Sequence, residues 1–171
     1  VLDSSLSKVS TAKARFVREA EILFALDHPN IVKVRNVRMD GNTPYLEMEL
    51  IEGESLDQRI ARGAMPLNEA VPILLHVSDA LVFLHALGVR HRDIKPSNVI
   101  FVNGVAKLAD IGLVSFGADA STFIGKTGYI PPEGPGSPQA DVYALGKTLY
   151  ELLTAKSVQF FPELPTTVFK N

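Results

Sequence analysis

The strongest constraint on the fold is a long helical pattern from Pro66 to Leu87 that stops at Gly88. It gives way to the polar segment His91-Arg92-Asp93-Ile94-Lys95-Pro96-Ser97-Asn98. Val71, Leu74-Leu75, Ser78, Leu81-Val82 and His85 recur at helical spacing, which predicts that this side is the buried one. Gly88 suits the left-handed position that ends a helix. Beyond the polar segment, two apolar runs, Val99 to Val102 and Val105 to Ala109, flank Asn103-Gly104, the signature of a hairpin with a tight turn.

The rest of the chain alternates in the same way. Thr11 to Leu26 predicts a helix, stopped where Pro29 disfavours the helical region for His28. Ile31 to Met39 and Pro44 to Ile51 read as strands joined by Asp40-Gly41-Asn42. Glu52-Gly53-Glu54-Ser55 breaks that pattern, with Ser55 as the N-cap of a short helix to about Ala61. A Gly/Ser-rich loop covers Gly112 to Gly128, a last helix runs from about Gln139 to Thr154, and the tail around Pro162 and Pro165 is irregular. Of the 171 residues 46% are hydrophobic and 21% charged, which excludes a disordered chain. A net charge of -2 gives no support to binding nucleic acid or an anionic membrane surface. No uninterrupted apolar run approaches the ~18 residues of a membrane span. Without cysteine there is neither disulfide nor thiolate metal site, and a cytoplasmic setting is expected.

The polar segment carries the chemistry. Asp93, Lys95 and Asn98 can project from one tight loop toward a common point. Together they offer a carboxylate to orient a hydroxyl proton, a cation for phosphate charge and an amide oxygen for a metal ion. An HRD-x-K-x-x-N match arises by chance in a chain of this length on the order of once in tens of thousands. Read without that spacing, the segment is a solvated surface turn.

The segment resembles the catalytic loop of protein kinases, and the likeness runs from about Phe16 to Thr154. Asp110-Ile111-Gly112, 17 residues past Asp93, stands where the family has DFG. Gly128-Tyr129-Ile130-Pro131-Pro132-Glu133 is similar to the end of the activation segment, and Asp141-Val142-Tyr143-Ala144-Leu145-Gly146 to the opening of the central C-lobe helix. Arg18-Glu19-Ala20-Glu21 through His28-Pro29-Asn30-Ile31-Val32 resembles the αC helix and its exit. The resemblance implies an α+β, bilobal protein-kinase-like fold, incomplete at both ends. Residues 1–52 would be a small β-rich N-lobe remnant, running to the hinge, and residues 53–171 a mainly helical part of the C-lobe.

The function implied is that of a bacterial-type serine/threonine kinase passing the γ-phosphate of ATP to protein hydroxyls, with ATP and Mg²⁺ as cofactors and a Ser/Thr-bearing protein as partner. Asp93 would be the base, assisted by Lys95, while Asn98 and Asp110 hold the metal. Glu19 takes the place of the αC glutamate, and Glu21, about 200° round the helix, cannot face the same way. Met48 falls at the gatekeeper position, the backbones of Glu49 and Ile51 would meet the adenine edge, and Ile100 would lie beneath the ring or simply pack in the core. Two roles are open to Asp141, a charge at a helix N-terminus or an acceptor for backbone N–H groups of the catalytic loop, and the second is favoured because charge-assisted hydrogen bonds in a buried site are stronger than dipole terms. Ser115, Ser121, Thr122 and Thr127 are candidate phosphorylation sites, with Arg92 to meet the phosphate.

Some of the family pattern is missing. No G-x-G-x-x-G or V-A-I-K lysine precedes Glu19, and Val1-Leu2 look like the residues that would follow such a lysine, so a piece of a longer protein, inactive by itself, is expected. Lys126 stands where a threonine is usual. These two features support an alternative, a non-catalytic pseudokinase acting as scaffold or nucleotide sensor. Glu133 is expected to be a buried carboxylate whose arginine partner lies outside the chain.

Overall fold

Residues 21–25 are helical (α1), and the chain then turns at Pro29-Asn30 into the strands β1 (Val34–Asp40) and β2 (Thr43–Met48). The structure, a computed structural model, describes residues 21–40, 43–111 and 128–164. β1 and β2 pair antiparallel, Val34 opposite Met48 and Asp40 opposite Thr43. These strands are shorter than the alternation predicts at the ends next to the second sheet. Asn30 is drawn off to that sheet, its Nδ2 donating to the Ala106 carbonyl at 2.9 Å, and Ile31 forms a parallel bridge with Leu108.

The second sheet has the order β3 (Glu54–Ser55), β4 (Val99–Val102), β5 (Val105–Leu108), all antiparallel. The two-residue strand β3 was not foreseen, because Gly53 and two glutamates hide it in composition. Asn103 (φ 52°) and Gly104 (φ 83°) both take positive φ, as the two-residue turn between β4 and β5 requires. After β3 the chain enters α2 (Leu56–Ile60), where Gln58 Oε1 accepts the Ser55 N–H at 3.0 Å.

The long helix α3 (Leu67–Ala86) ends as Gly88 predicts. With φ at 75° its N–H reaches the His85 carbonyl at 3.0 Å, and Val89 N–H reaches that of Leu84 at 3.0 Å, a Schellman closure. Its buried side differs from expectation. Ala70, Ile73, Val77, Ala80, Leu81 and Leu84 face the core, whereas Val71, Leu75 and Val82 are exposed. The helix is apolar almost all round, so periodicity alone could not choose between two ridges. Packing on β5 and on α4 (Pro138–Thr154) chose the one where Ala70 and Ala80 allow close approach. By length and composition α3 could cross a membrane, yet this core packing is what a central helix of a folded lobe shows.

Ser137 caps α4, its hydroxyl accepting the Ala140 N–H at 3.2 Å, and Ala155 (φ 52°) ends it. A 3₁₀ turn, Val158–Phe160, orders part of the tail expected to be irregular. Leu56, Leu84, Ile94, Leu108 and Leu152 are fully enclosed and mark the centre of one core shared by the second sheet and the helices.

Candidate active site

The segment from His91 to Asn98 lies between α3 and β4 and is held from three sides. Asp141, in the first turn of α4, is 1% exposed. Its Oδ1 accepts the Arg92 N–H at 2.8 Å and its Oδ2 the His91 N–H at 3.0 Å. Of the two roles open to Asp141, the hydrogen bonds to the loop are the ones observed. Arg92 is thereby fixed at φ 66°, a left-handed conformation that costs a non-glycine residue about 1–2 kcal/mol.

His91 is fully buried, with Nε2 3.0 Å from the Ala109 carbonyl and Nδ1 accepting the Asp93 N–H at 3.4 Å. A carbonyl only accepts, so the proton sits on Nε2. Burial pushes the imidazole below its ordinary pKa, against the pull of Asp141, Asp93 and Asp110, and the ring is neutral. It ties the loop to the residue that precedes Asp110. On the other side the Ala109 N–H donates to the Asn98 carbonyl at 2.9 Å.

Within this frame Asp93, Lys95 and Asn98 come together. The Lys95 ammonium lies 2.5 Å from Asp93 Oδ2, and Asn98 Nδ2 donates to the same oxygen at 3.0 Å and to the Asp93 carbonyl at 2.8 Å. Asn98 is 4% exposed in the 3₁₀ turn Pro96–Asn98. With its amide nitrogen so engaged, planarity turns Oδ1 the other way. Asp110 takes φ 55° just past β5 and its side chain is exposed, while Ile111 is buried.

An amide oxygen and one exposed carboxylate form a hard-oxygen set that suits Mg²⁺, which takes few protein ligands beside phosphate oxygens and water. No group of three or more His, Cys, Asp or Glu is gathered for a metal among the described residues.

The residues expected to meet the nucleotide base are spread along the join between the sheets. Met48 closes β2 and is 41% exposed, Glu49 and Ile51 follow outside the strand, and Ile100 sits half-buried in β4 opposite Lys107 and Ser55. Glu49 was expected to act through its backbone alone. Its side chain accepts the Lys107 ammonium at 2.8 Å and the Lys33 N–H at 3.1 Å. Sequence reading missed this, and it missed His85, whose Nε2 lies 2.8 Å from Asp141 Oδ2. Pairs so distant in sequence leave no periodic signal.

Beside Lys95 a cavity of about 180 Å³ opens between α2, the 3₁₀ turn and the C-terminal end of α4. Tyr129 lines it and donates its hydroxyl to Glu151 Oε2. Glu133, expected to be buried, is exposed and carries no buried-charge penalty. Glu19, Lys126, Ser115, Ser121, Thr122 and Thr127 lie outside the described residues.

Comparison with known proteins agrees with this geometry. The family described as protein kinase domain matches residues 3–165. Serine/threonine-protein kinase PknL of Mycobacterium tuberculosis is 39% identical over 165 residues, 90% of this chain and 41% of that protein. PkaA of Streptomyces coelicolor is 38% identical over 175 residues, 91% of this chain and 31% of that one. Among solved structures, Rad53 in complex with AMP-PNP superposes with a TM-score of 0.73 at 30% identity, covering 83% of this chain and 38% of that one. The chain thus spans about two-fifths or less of the proteins it matches. With its catalytic-loop geometry and these matches, the chain belongs to the protein kinase domain family, of the bacterial serine/threonine type.

Proposed function

We propose that the protein containing this chain transfers the γ-phosphate of Mg²⁺-ATP to serine or threonine hydroxyls of a protein substrate. The observation that carries the reading is the convergence of Lys95 and Asn98 on one oxygen of Asp93. With Oδ2 so occupied, Oδ1 is left to orient the substrate hydroxyl and receive its proton. Lys95, two residues on, supplies positive charge where the transferred group becomes most anionic. Asn98 Oδ1 and the Asp110 carboxylate would hold the metal ion, which when bound neutralises phosphate charge.

The chain's own contribution is positioning. His91 and Asp141 fix the loop, and β5 delivers Asp110 beside it. Nucleotide use has support from the AMP-PNP complex of the Rad53 structure. The cavity next to Lys95 is where a peptide would lie, and a cytoplasmic location follows from dependence on ATP. Residues 1–52 and 53–171 are read as the portions on either side of the nucleotide cleft.

The test is Asp93→Asn in the complete gene product. Phosphorylation of a general protein substrate should fall by about 10²–10⁴-fold, while binding of a fluorescent ATP analogue stays within about threefold, since each factor of ten needs about 1.4 kcal/mol. Unchanged turnover would remove Asp93 from this role, and no transfer by the unaltered protein would favour a scaffold.

A further inference from the structure

Glu49 stands at a junction of three segments. Its N–H donates to the Lys33 carbonyl at 2.9 Å, and its Oε1 accepts the Lys33 N–H at 3.1 Å and the Lys107 ammonium at 2.8 Å. One residue therefore grips the start of β1 by backbone and side chain and reaches across to β5. The pair is shielded, with side-chain exposures of 20% for Lys107 and 23% for Glu49, against 50% and 81% for the nearby Lys33–Asp27 pair. A pair as open as the latter contributes little. The Glu49–Lys107 pair is screened less, and the added backbone hydrogen bond fixes the carboxylate's direction.

β5 is itself joined to the segment before β1. Val32 N–H donates to the Leu108 carbonyl and Leu108 N–H to the Asn30 carbonyl, both at 2.8 Å. Lys107 faces Ile100 across the β4–β5 ladder, and Asp110 follows three residues later. The ion pair thus connects the end of β2, where the base is read to bind, with the strand that leads into Asp110.

Building on the kinase reading above, we propose that the Glu49 and Lys107 side chains form a latch across this junction and are positioning residues for ATP. The latch sets the spacing between the base-binding end of the cleft and the Asp110 end. Neither side chain touches the reacting atoms. Without the latch the two ends sample several spacings, and ATP binds only the fraction with the right one, so its apparent affinity falls by that fraction. Asp93, Lys95 and Asn98 are held separately by Asp141 and His91, so the chemical step in the bound complex is little changed.

The experiment compares Lys107→Met, Lys107→Arg and Glu49→Gln with the unaltered complete gene product. KM for ATP and Kd for a fluorescent ATP analogue are measured with Mg²⁺ present, alongside kcat and the melting temperature. Lys107→Met and Glu49→Gln should raise KM and Kd about tenfold through loss of the competent fraction, with kcat within about threefold. Lys107→Arg should restore most of the affinity. Glu49→Gln, nearly isosteric and still able to accept the Lys33 N–H, keeps the test open if Lys107→Met does not fold. Unchanged KM in the folded variants, or a loss that falls on kcat alone, overturns the latch. If the unaltered protein binds no ATP analogue, the kinase reading fails and the latch with it; if it binds and the variants bind equally well, the latch alone fails.

Discussion

His85 and Asp141, 56 residues apart, meet at 2.8 Å between Nε2 and Oδ2, joining the last turn of α3 to the first turn of α4. A carboxylate only accepts, so His85 donates, and Oδ2 receives both this bond and the His91 N–H. The catalytic loop is therefore anchored to a carboxylate that is itself held in direction by a second helix.

Replacing that carboxylate should be costly although its shape can be kept. Asp141→Asn removes the charge from three hydrogen bonds and turns an NH₂ group toward N–H donors. A loss of about 2–4 kcal/mol in stability is expected, read as a lower urea midpoint with the slope unchanged. Turnover in the complete gene product should fall by more than the stability loss explains, because Arg92 leaves its φ of 66° and Asp93 moves with it. Wild-type turnover in a folded Asp141→Asn protein would show that the loop holds its shape without this anchor.

Tyr129 offers a second test. It is 5% exposed and donates to Glu151, whose other oxygen accepts the Val158 N–H at 2.7 Å. Burial, reinforced by the Glu151 carboxylate, pushes the phenol far above its ordinary range. In an alkaline titration followed by phenolate absorbance, this tyrosine should ionise only when the protein unfolds. Tyr129→Phe removes a hydrogen bond to a charged acceptor and should cost about 1.5–3 kcal/mol in a denaturant melt. A phenol that titrates normally in the folded protein would mean that the hydroxyl is not engaged.

How much of this was legible in sequence depends on the range of the interaction. The β4–β5 hairpin and the end of α3 were readable because Asn103-Gly104 and Gly88 encode positive φ locally. The grouping of Asp93, Lys95 and Asn98 was readable because a six-residue loop leaves them few places to go. The buried side of α3 was not, since Leu75 and Val82 are as apolar as Ile73 and Leu84, and only the position of β5 and α4 decides between them. Lys107 and His85, the side-chain partners of Glu49 and Asp141, lie 58 and 56 residues away, and no local rule reaches that far. Asp141 was singled out by its place in a motif, where the acceptor role was favoured over a helix-end charge, and the structure shows that role.

Gly53 makes a prediction about close approach. A Cβ there would run into the carbonyl oxygen of Phe101, a backbone atom that cannot swing aside. Gly53→Ala should displace β3 from β4, where Glu54 pairs with Phe101 and Ser55 with Ile100, at a cost of about 1–3 kcal/mol. Hydrogen exchange should show faster loss of protection in β3 and the adjoining edge of β4 than in β5. Uniform protection in the variant would mean that the strand accommodates the methyl group by a small shift.

The pH dependence of stability follows from His91. Its folded-state pKa lies below the ordinary value of 6.5, so above 6.5 both folded and unfolded chains hold the ring neutral and its contribution is fully present. As pH falls below 6.5 the unfolded chain takes up a proton that the folded chain refuses. Stability then declines by up to about 1.36 kcal/mol per pH unit, until the folded-state pKa is reached. Glu49 acts later: burial opposes its charge, but Lys107, the Lys33 N–H and Arg35 together hold it below 4.5, so its contribution persists above 4.5 and is lost as pH drops through the lower folded value. Two successive acid limbs are therefore expected in urea midpoints measured from pH 7.5 to 2.5. The first should vanish in His91→Gln, which cannot be protonated, and the second should be reduced in Glu49→Gln. A first limb that survives in His91→Gln would assign the proton uptake to another group and remove the neutral ring from the account of the loop.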